Sequence, residues 1–463
     1  MQKIRMKKII IVLCLTAGWT SCSIYRTYER PDMPVVDSLY RQTPATAAAT
    51  ADTNSIATLS WRQLFTDPQL QQLIETGLQN NTDLGIARLR VAEAEALLSS
   101  ARLAYVPSLN FTPQGTISKT ENASAKKTYD LAVAASWEVD IFGKLTNAKR
   151  EAKAVLEQSE AYRQAVQTQL IASIANSYYT LLMLDEQLSI SQRTAKNWAE
   201  NVRVMKALKR AGQTTAMAVS QTEASKLSVD ASLLSLQQQI TELENTLTAL
   251  LGIAPGAIER STLAGQHFPD ELATGVPLQL LQRRPDVRQS EASLAAAYYA
   301  TNQARAAFYP SITLSGSAGW TNAAGSAITN PGQWLFSAVA SLVQPIFNRG
   351  QNVANLKVAK AQQEEALLTF RQSLLDAGSE VNNALVQWQT ARGRQKINLQ
   401  QVESLASSVR SSELLMQHSS QNYLEVLTAR QTLLQAELDV ASDRFDEIQG
   451  VINLYHALGG GAE

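Results

Sequence analysis

The side chains equipped for chemistry are few in this chain, and they lie far apart. Three histidines, His267, His418 and His456, are scattered over 463 residues. None stands in a His-Glu-x-x-His pair, which would put two zinc ligands on one helix face. No glycine-rich loop is spaced to cradle a phosphate, and no Gly-x-Ser-x-Gly elbow exposes a nucleophile. Glu242 and Glu244 have the spacing of a solvated helix, not of a general acid–base dyad. The seven methionines are dispersed, so they build no thioether track for soft metal ions. No catalytic residue, metal site or cofactor is expected, and His418 reads as a surface residue. Lysine plus arginine equals aspartate plus glutamate at 41 each; nucleic acid, which requires a basic face, is not an expected partner.

The cysteines carry a different message. Lys3, Arg5, Lys7 and Lys8 precede the apolar run from Ile9 to Leu15, and small residues follow at Ala17, Gly18 and Ser21, the pattern of an export signal over residues 1–21. Trp19-Thr20-Ser21-Cys22 resembles a bacterial lipobox, with tryptophan where an aliphatic residue is usual. That resemblance implies lipid attachment at Cys22, which becomes the new N-terminus. Removal of Cys14 with the signal leaves one cysteine and no intrachain disulfide. The competing reading is an ordinary secreted protein with a free thiol. Residues 22–60 form a lipidated N-terminal linker, and its stretch from Asp37 to Thr58, rich in Ala and Thr, is a flexible lead.

The rest of the chain is written twice. Pro107 in Val106-Pro107-Ser108-Leu109 is matched 203 residues later by Pro310 in Tyr309-Pro310-Ser311-Ile312, and the same spacing carries Asp83 onto Asp286. Asp140-Ile141-Phe142-Gly143-Lys144 is answered by Pro345-Ile346-Phe347-Asn348-Arg349, with Asn348 in the place of Gly143, and Leu251-Gly252 by Leu458-Gly459. This period is far longer than the roughly 20 to 50 residues of a solenoid unit. It marks a duplicated half. The first repeat covers 61–259, with a hairpin at 108–140, a long helix at 145–210 and a helix at 217–250. A linker follows at 260–277. The second repeat covers 278–459, with a hairpin at 311–344, a long helix at 350–417 and a helix at 424–458.

Each hairpin alternates with period two. Leu109, Phe111, Pro113, Gly115 and Ile117 oppose Ser108, Asn110, Thr112, Gln114, Thr116 and Ser118. Tyr129, Leu131, Val133, Ala135, Trp137 and Val139 share one side of the second segment, and Ile312, Leu314, Gly316, Ala318 and Trp320 one side of the third. The fourth, Trp334 to Val343, is more uniformly apolar. The loops are expected over Thr120–Thr128 and Thr321–Gln333. Each strand is about ten residues, enough to cross a bilayer at a tilt. No later segment is apolar for 18 residues, so any crossing must be a closed β-barrel. Four strands cannot close one, because small membrane barrels begin at about eight. Copies must pool their strands: two copies would give a plugged eight-strand barrel, whereas three give twelve strands and an open lumen, the favoured reading.

Between the hairpins run heptads. Leu170, Ile174, Ser177, Leu181, Leu184, Leu188, Ser191, Ala195, Trp198, Val202, Met205 and Lys209 keep 4,3 spacing, and so do Val229, Leu233, Leu236, Ile240, Leu243, Leu247 and Leu250. A similar seam runs from Leu374 to Met416. These helices should pack side by side as coiled coils. The fold class that follows is an α+β membrane protein with duplicated halves.

Leu281-Gln282-Arg283-Arg284-Pro285-Asp286-Val287-Arg288, continuing through Glu291-Ala292-Ser293-Leu294 to Phe308-Tyr309-Pro310, is similar to the signature of TolC-like outer-membrane efflux factors, in the lipoprotein branch paired with resistance-nodulation-division pumps. Ser136-Trp137-Glu138-Val139-Asp140-Ile141-Phe142-Gly143-Lys144 resembles the same branch. The resemblance implies a homotrimer, with a twelve-stranded outer-membrane β-barrel and a long coiled-coil α-barrel in the periplasm. It implies an adaptor and an inner-membrane pump as partners, with small molecules leaving through a passive duct. It places the aperture and adaptor contact at the two turns between long and shorter helices: Gly212, Thr214 and Met217 in the first, and Ser420, Gln421, Tyr423, Glu425 and Thr428 in the second. Glu425 would form a carboxylate ring in three copies; the plainer reading is a helix-start acid favoured by the macrodipole. Pro107, Gly143, Pro310 and Pro345 are expected at the helix–strand transitions. A type I protein-secretion duct, or a lipid-tethered periplasmic coiled-coil scaffold, are the alternatives.

Overall fold

Proline cannot donate a backbone hydrogen bond and forces the residue before it to extend, and two prolines mark the switches from helix to strand. The computed structural model describes residues 25–32, 56, 59–121, 124–268, 284–322, 333–418 and 423–462. Cys22, Ser420 and Gln421 lie outside the described residues. The elements are α1 (Trp61–Leu64), α2 (Pro68–Asn80), α3 (Thr82–Leu103), β1 (Ser108–Ser118), β2 (Lys126–Val139), α4 (Lys144–Arg210), α5 (Ala216–Leu251), α6 (Pro285–Ala306), β3 (Ser311–Asn322), β4 (Gln333–Val343), α7 (Gln351–His418) and α8 (Tyr423–Ala457). Pro107 and Pro310 each immediately precede a strand. β2 begins three residues earlier than the alternation suggested, because Lys126, Lys127 and Thr128 still pair with Ser118, Ile117 and Thr116.

The described residues fall into two compact units, each drawing on both halves of the sequence. One comprises Val91–Ser159 and Ser290–Phe370 together with the described residues before Met33. Its sheet is antiparallel in the order β1-β2-β3-β4. The register places Phe111 opposite Val133, Val133 opposite Ala318 and Ala318 opposite Phe336, so one face is apolar across all four strands. The other face carries Ser108, Asn110, Thr112, Ser136, Ser315, Ser317 and Ser337. β4 looked uniformly apolar because Leu335, Val339 and Val343 occupy that second face among the serines. Leu109, Ile117 and Phe336 are 72%, 72% and 74% exposed, so these apolar side chains are left largely uncovered by the described residues. Leaving side chains of this size in water forgoes about 1.5–3 kcal/mol each.

The sequence comparison set Asn348 against Gly143, and here the structure corrects it. Gly143 has φ +70° and stands one residue before α4, and the residue in that place before α7 is Gly350 at φ +77°. Arg349 at φ +45° precedes it and is the one non-glycine residue with positive φ among those described. The connection from strand to helix is three residues longer in the second copy than in the first, 344–350 against 140–143, so the matching glycine shifts past Asn348.

The second unit holds the described residues of Met33–Arg90, Glu160–Gln289 and Arg371–Glu463. Leu170, Ile174 and Leu181 of α4 form its core with Leu247 and Leu251 of α5, Val381 of α7 and Ile448 and Ile452 of α8; Phe65, which follows α1, and Leu70 and Ile74 of α2 fill in. The heptad positions of α4 are buried or half-buried from Leu170 through Met205, as knobs-into-holes packing requires, whereas Lys209, the last position of the seam, is exposed in the final turn of the helix. Arg392, on the second seam, is instead exposed and lies over the Trp388 ring at 5.5 Å. Of the linker, residues 260–268 are described, and they pack closely: Leu263 is buried, and Arg260 bridges Asp185 and Glu244, each at 2.5 Å.

Candidate functional site

The sheet is the first part of the site. Along β2 the apolar face begins at Tyr129 and ends at Val139, with Trp137 near its helix-side end. Tyr129, Trp320 and Trp334 cluster at the hairpin end, where Trp320 pairs with Trp334 at a ring separation of 5.6 Å. Trp137 donates from Nε1 to the Tyr105 carbonyl at 3.0 Å. Aromatic residues thus bracket the apolar band at both ends, as interfacial girdles do.

The strand-to-helix connection below the band is locked by Asp140. Its Oδ1 accepts from the Leu145 amide at 3.0 Å, and its Oδ2 from the Thr146 amide at 2.7 Å and the Thr146 hydroxyl at 2.6 Å. These are free N–H groups at the start of α4, where a carboxylate also meets the positive end of the helix dipole. Phe142 stacks on Tyr309 at 5.0 Å, joining this connection to the residue before Pro310. Pro345 follows β4 in the second connection, where Ile346 and Phe347 are exposed. Residues 25–32 run over the same unit: the Tyr28 amide donates to Tyr299 Oη at 3.2 Å, and Arg30 pairs with Glu291.

The second part is the helical tip. α4 ends in a reversal where Gly212 has φ +76°, with the Gly212 amide donating to Lys209 and the Gln213 amide to Leu208. Thr215 then caps α5 by accepting from the Ala218 amide at 3.2 Å. Thr214 is half-buried, and Met217 is 79% exposed. On the other turn Tyr423 opens α8, Glu425 is exposed in its first turn, and Thr428 is exposed with its hydroxyl returned to the Leu424 carbonyl. The two hairpins of helices meet just inside these turns, where Trp198 of α4 packs with Val229 of α5 and Leu427 of α8. Arg430 pairs with Glu413 across α7 and α8, Lys206 with Glu223 across α4 and α5, and Arg193 with Glu437 across α4 and α8.

The third part explains the Arg-Arg-Pro-Asp stretch, of which Arg284 onward is described. Arg284 is buried and donates to Asp286 Oδ1 at 3.0 Å and Oδ2 at 2.6 Å, to Glu380 Oε2 at 2.6 Å, and to the carbonyl of Ala457, the last residue of α8, at 2.7 Å. One side chain ties the start of α6 to α7 and to the end of α8. Sequence reasoning missed its counterpart: 203 residues earlier, Asn81 donates to the carbonyl of Leu250, near the end of α5, at 2.9 Å and accepts from the Leu84 amide. The repeat spacing itself could have found it. His456 shares with both residues a cavity of about 730 Å³. Burial lowers the His456 pKa, and Arg284 adds to this against the opposing pull of Glu380 and Asp286.

A buried polar network sits deeper in the same unit. Asp67 Oδ2 accepts from the Tyr178 hydroxyl at 2.7 Å and from Gln266 Nε2 at 2.9 Å. Burial works to raise the Asp67 pKa, but the hydrogen bonds from Tyr178 and the Gln69 amide outweigh it and hold the carboxyl below its ordinary value. Burial, with the bond to Asp67, pushes Tyr178 up to about 12. Among the described residues no cluster of His, Cys, Asp or Glu could hold a metal ion, and no helix is long and apolar enough to cross a membrane.

A two-faced sheet bracketed by aromatics and a separate unit of paired coiled-coil helices are the parts of an outer-membrane channel with a periplasmic helical part. Residues 73–253 and 276–460 match the family described as outer membrane efflux protein, and the chain belongs to that family. It is similar to the cation efflux system protein CusC of Escherichia coli strain K12, at 29% identity over 98% of this chain and 99% of CusC. It is 28% identical to the probable outer membrane lipoprotein SilC of Salmonella typhimurium, over 100% of this chain and 99% of SilC. The solved structure of the outer-membrane channel OprN has a TM-score of 0.87 and 28% identity, covering 95% of this chain and 100% of OprN. The protein is an outer-membrane efflux channel.

Proposed function

We propose that three copies of the chain pool their sheets into a twelve-stranded barrel, continued by their helices into a periplasmic tunnel. The observation that carries this reading is the open sheet. β1 and β4 are its edges, and unpaired edge N–H and C=O groups cost several kcal/mol each in hydrocarbon. Pairing β4 of one copy with β1 of the next removes every edge, and twelve strands leave a lumen lined by the serine- and threonine-rich face.

The duct is passive, and it opens toward an adaptor and an inner-membrane resistance-nodulation-division pump that supplies the energy. Gly212, Thr214 and Met217 in one turn, and Ser420, Gln421, Tyr423, Glu425 and Thr428 in the other, form the aperture and the adaptor contact. Small molecules are the cargo; a lining of small polar side chains selects weakly among them. Glu425 in three copies makes a ring that favours cations. Cys22 carries the lipid, in keeping with SilC's description as a lipoprotein. Tyr25 packs over Gly143 at the foot of the sheet, so a lipid three residues upstream is tethered by at most ~10 Å of chain.

Planar-bilayer recording tests the duct. Purified protein should give stable, cation-preferring conductance, and Glu425→Lys should reduce that preference. Unchanged conductance and selectivity in Glu425→Lys would remove the ring, and no conductance from the wild type would remove the duct.

A further inference from the structure

The apolar face of the sheet does not stop at its aromatic residues. Two residues beyond Tyr129 on β2, on the same face, stands Lys127, exposed and in register with Ile117. Lys126, in register with Ser118, and Lys119, the residue after β1, bring three lysines to the closed end of this hairpin, with Glu121 the one acid over residues 119–127. The corresponding stretch of the second hairpin, 321–333, contains no charged residue. The basic end is therefore a property of one hairpin, not of hairpin ends in general.

Depth along the strand assigns its surroundings. Tyr129 and Trp137 lie on one face of β2; their separation of about 27 Å along the strand becomes about 20 Å of height at the usual barrel tilt, close to the height of a lipid-facing band. Lys127 then sits roughly 5 Å beyond the outer girdle. There a long side chain keeps its methylenes against apolar surface and lifts its ammonium group into the headgroup layer. The helices leave the sheet from its other end, at Pro107, Gly143, Pro310 and Gly350. With the helical part in the periplasm, this hairpin end meets the outer leaflet.

We infer that the basic end of this hairpin, with Lys119 and Lys127, forms a rim that binds the phosphate groups of the phosphorylated glycolipid of the outer leaflet. The inference rests on the barrel reading above, because only a lipid-facing sheet puts Lys127 at headgroup depth. Three copies would repeat the rim around the barrel and anchor its depth in the leaflet.

The test uses full-length protein purified in mild detergent and incubated with diphosphoryl lipid A, with monophosphoryl lipid A, or with inorganic phosphate as competitor. Lipid retention is read by native mass spectrometry. The wild type should retain the diphosphoryl form over the monophosphoryl form, and millimolar inorganic phosphate should not displace it. Lys119→Gln/Lys127→Gln should bind about fivefold more weakly per lysine removed, with the difference shrinking at high salt. If the double variant does not assemble, Lys127→Gln alone should still lose about fivefold. A variant that assembles and conducts yet retains the lipid as the wild type does overturns the rim and leaves the barrel standing. Displacement by inorganic phosphate also overturns it, and a wild type that stays dispersed without detergent overturns both.

Discussion

Arg284 donates from Nη1 to the carbonyl oxygen of Ala457 at 2.7 Å, and so fastens the start of α6 to the end of α8. Asn81 makes the corresponding bond to Leu250 at 2.9 Å in the first half. The duplication therefore preserves a lock between helix ends while changing the side chain that makes it.

The two locks should differ in strength. Arg284→Ala strands the Ala457 carbonyl and leaves Asp286 and Glu380 without their shared cation; both acids are about half exposed, which moderates the loss to about 2–4 kcal/mol. Asn81→Ala removes neutral hydrogen bonds and should cost about 1 kcal/mol. Denaturant unfolding of the helical part checks the order. Arg284→Lys should recover little of the loss, because a lysine cannot make the two-pronged bond to Asp286.

At the foot of the sheet, Asp140→Ala should destabilise by about 1–2 kcal/mol, since it frees the capped amides of α4. Asp140→Asn should recover part of this, because the amide oxygen still accepts. Thermal melting of the three proteins in one detergent provides the comparison.

Glycines with similar backbone angles should respond differently to alanine. Gly252 has φ +69°, and a Cβ there would lie 2.7 Å from the Asn80 carbonyl oxygen, so Gly252→Ala combines strain with a backbone clash and should cost about 2 kcal/mol or more. Gly212 has φ +76° but open space around it, so Gly212→Ala should cost only about 1 kcal/mol. Chemical unfolding of each variant separates strain from collision.

Stability should fall in two steps on acidification. His456 is held below its ordinary 6.5, so the unfolded chain binds its proton more readily, and stability declines as pH drops below about 6.5. Asp67 and Asp286 are held below their ordinary 3.8; their contribution is complete above roughly pH 4 and is lost as pH falls through their folded values. His456→Gln should abolish the first step and leave the second, as measured by melting temperature against pH.

Periodicity made the fold legible where the environment has two clear sides. The alternation of Leu109 to Ile117 and the heptads from Leu170 to Met205 emerge as strand and seam because each face meets one kind of neighbour. It misled where spacing changed: Asn348 was matched to Gly143 because the longer second connection shifts the left-handed glycine to Gly350. β4 blurred because Leu335 and Val339 interrupt its polar face. Contacts between distant segments, such as Asn81 with Leu250 or Asp67 with Tyr178, leave no periodic trace. The tip residues could be located by resemblance, but the packing of Trp198 on Leu427 beneath them required three helices to be seen together.

In the proposed barrel one chain supplies only part of a closed wall. Native mass spectrometry of the protein released from lipid nanodiscs tests it directly. The account predicts a complex of three chains, and a membrane-embedded species of one or two chains would contradict it.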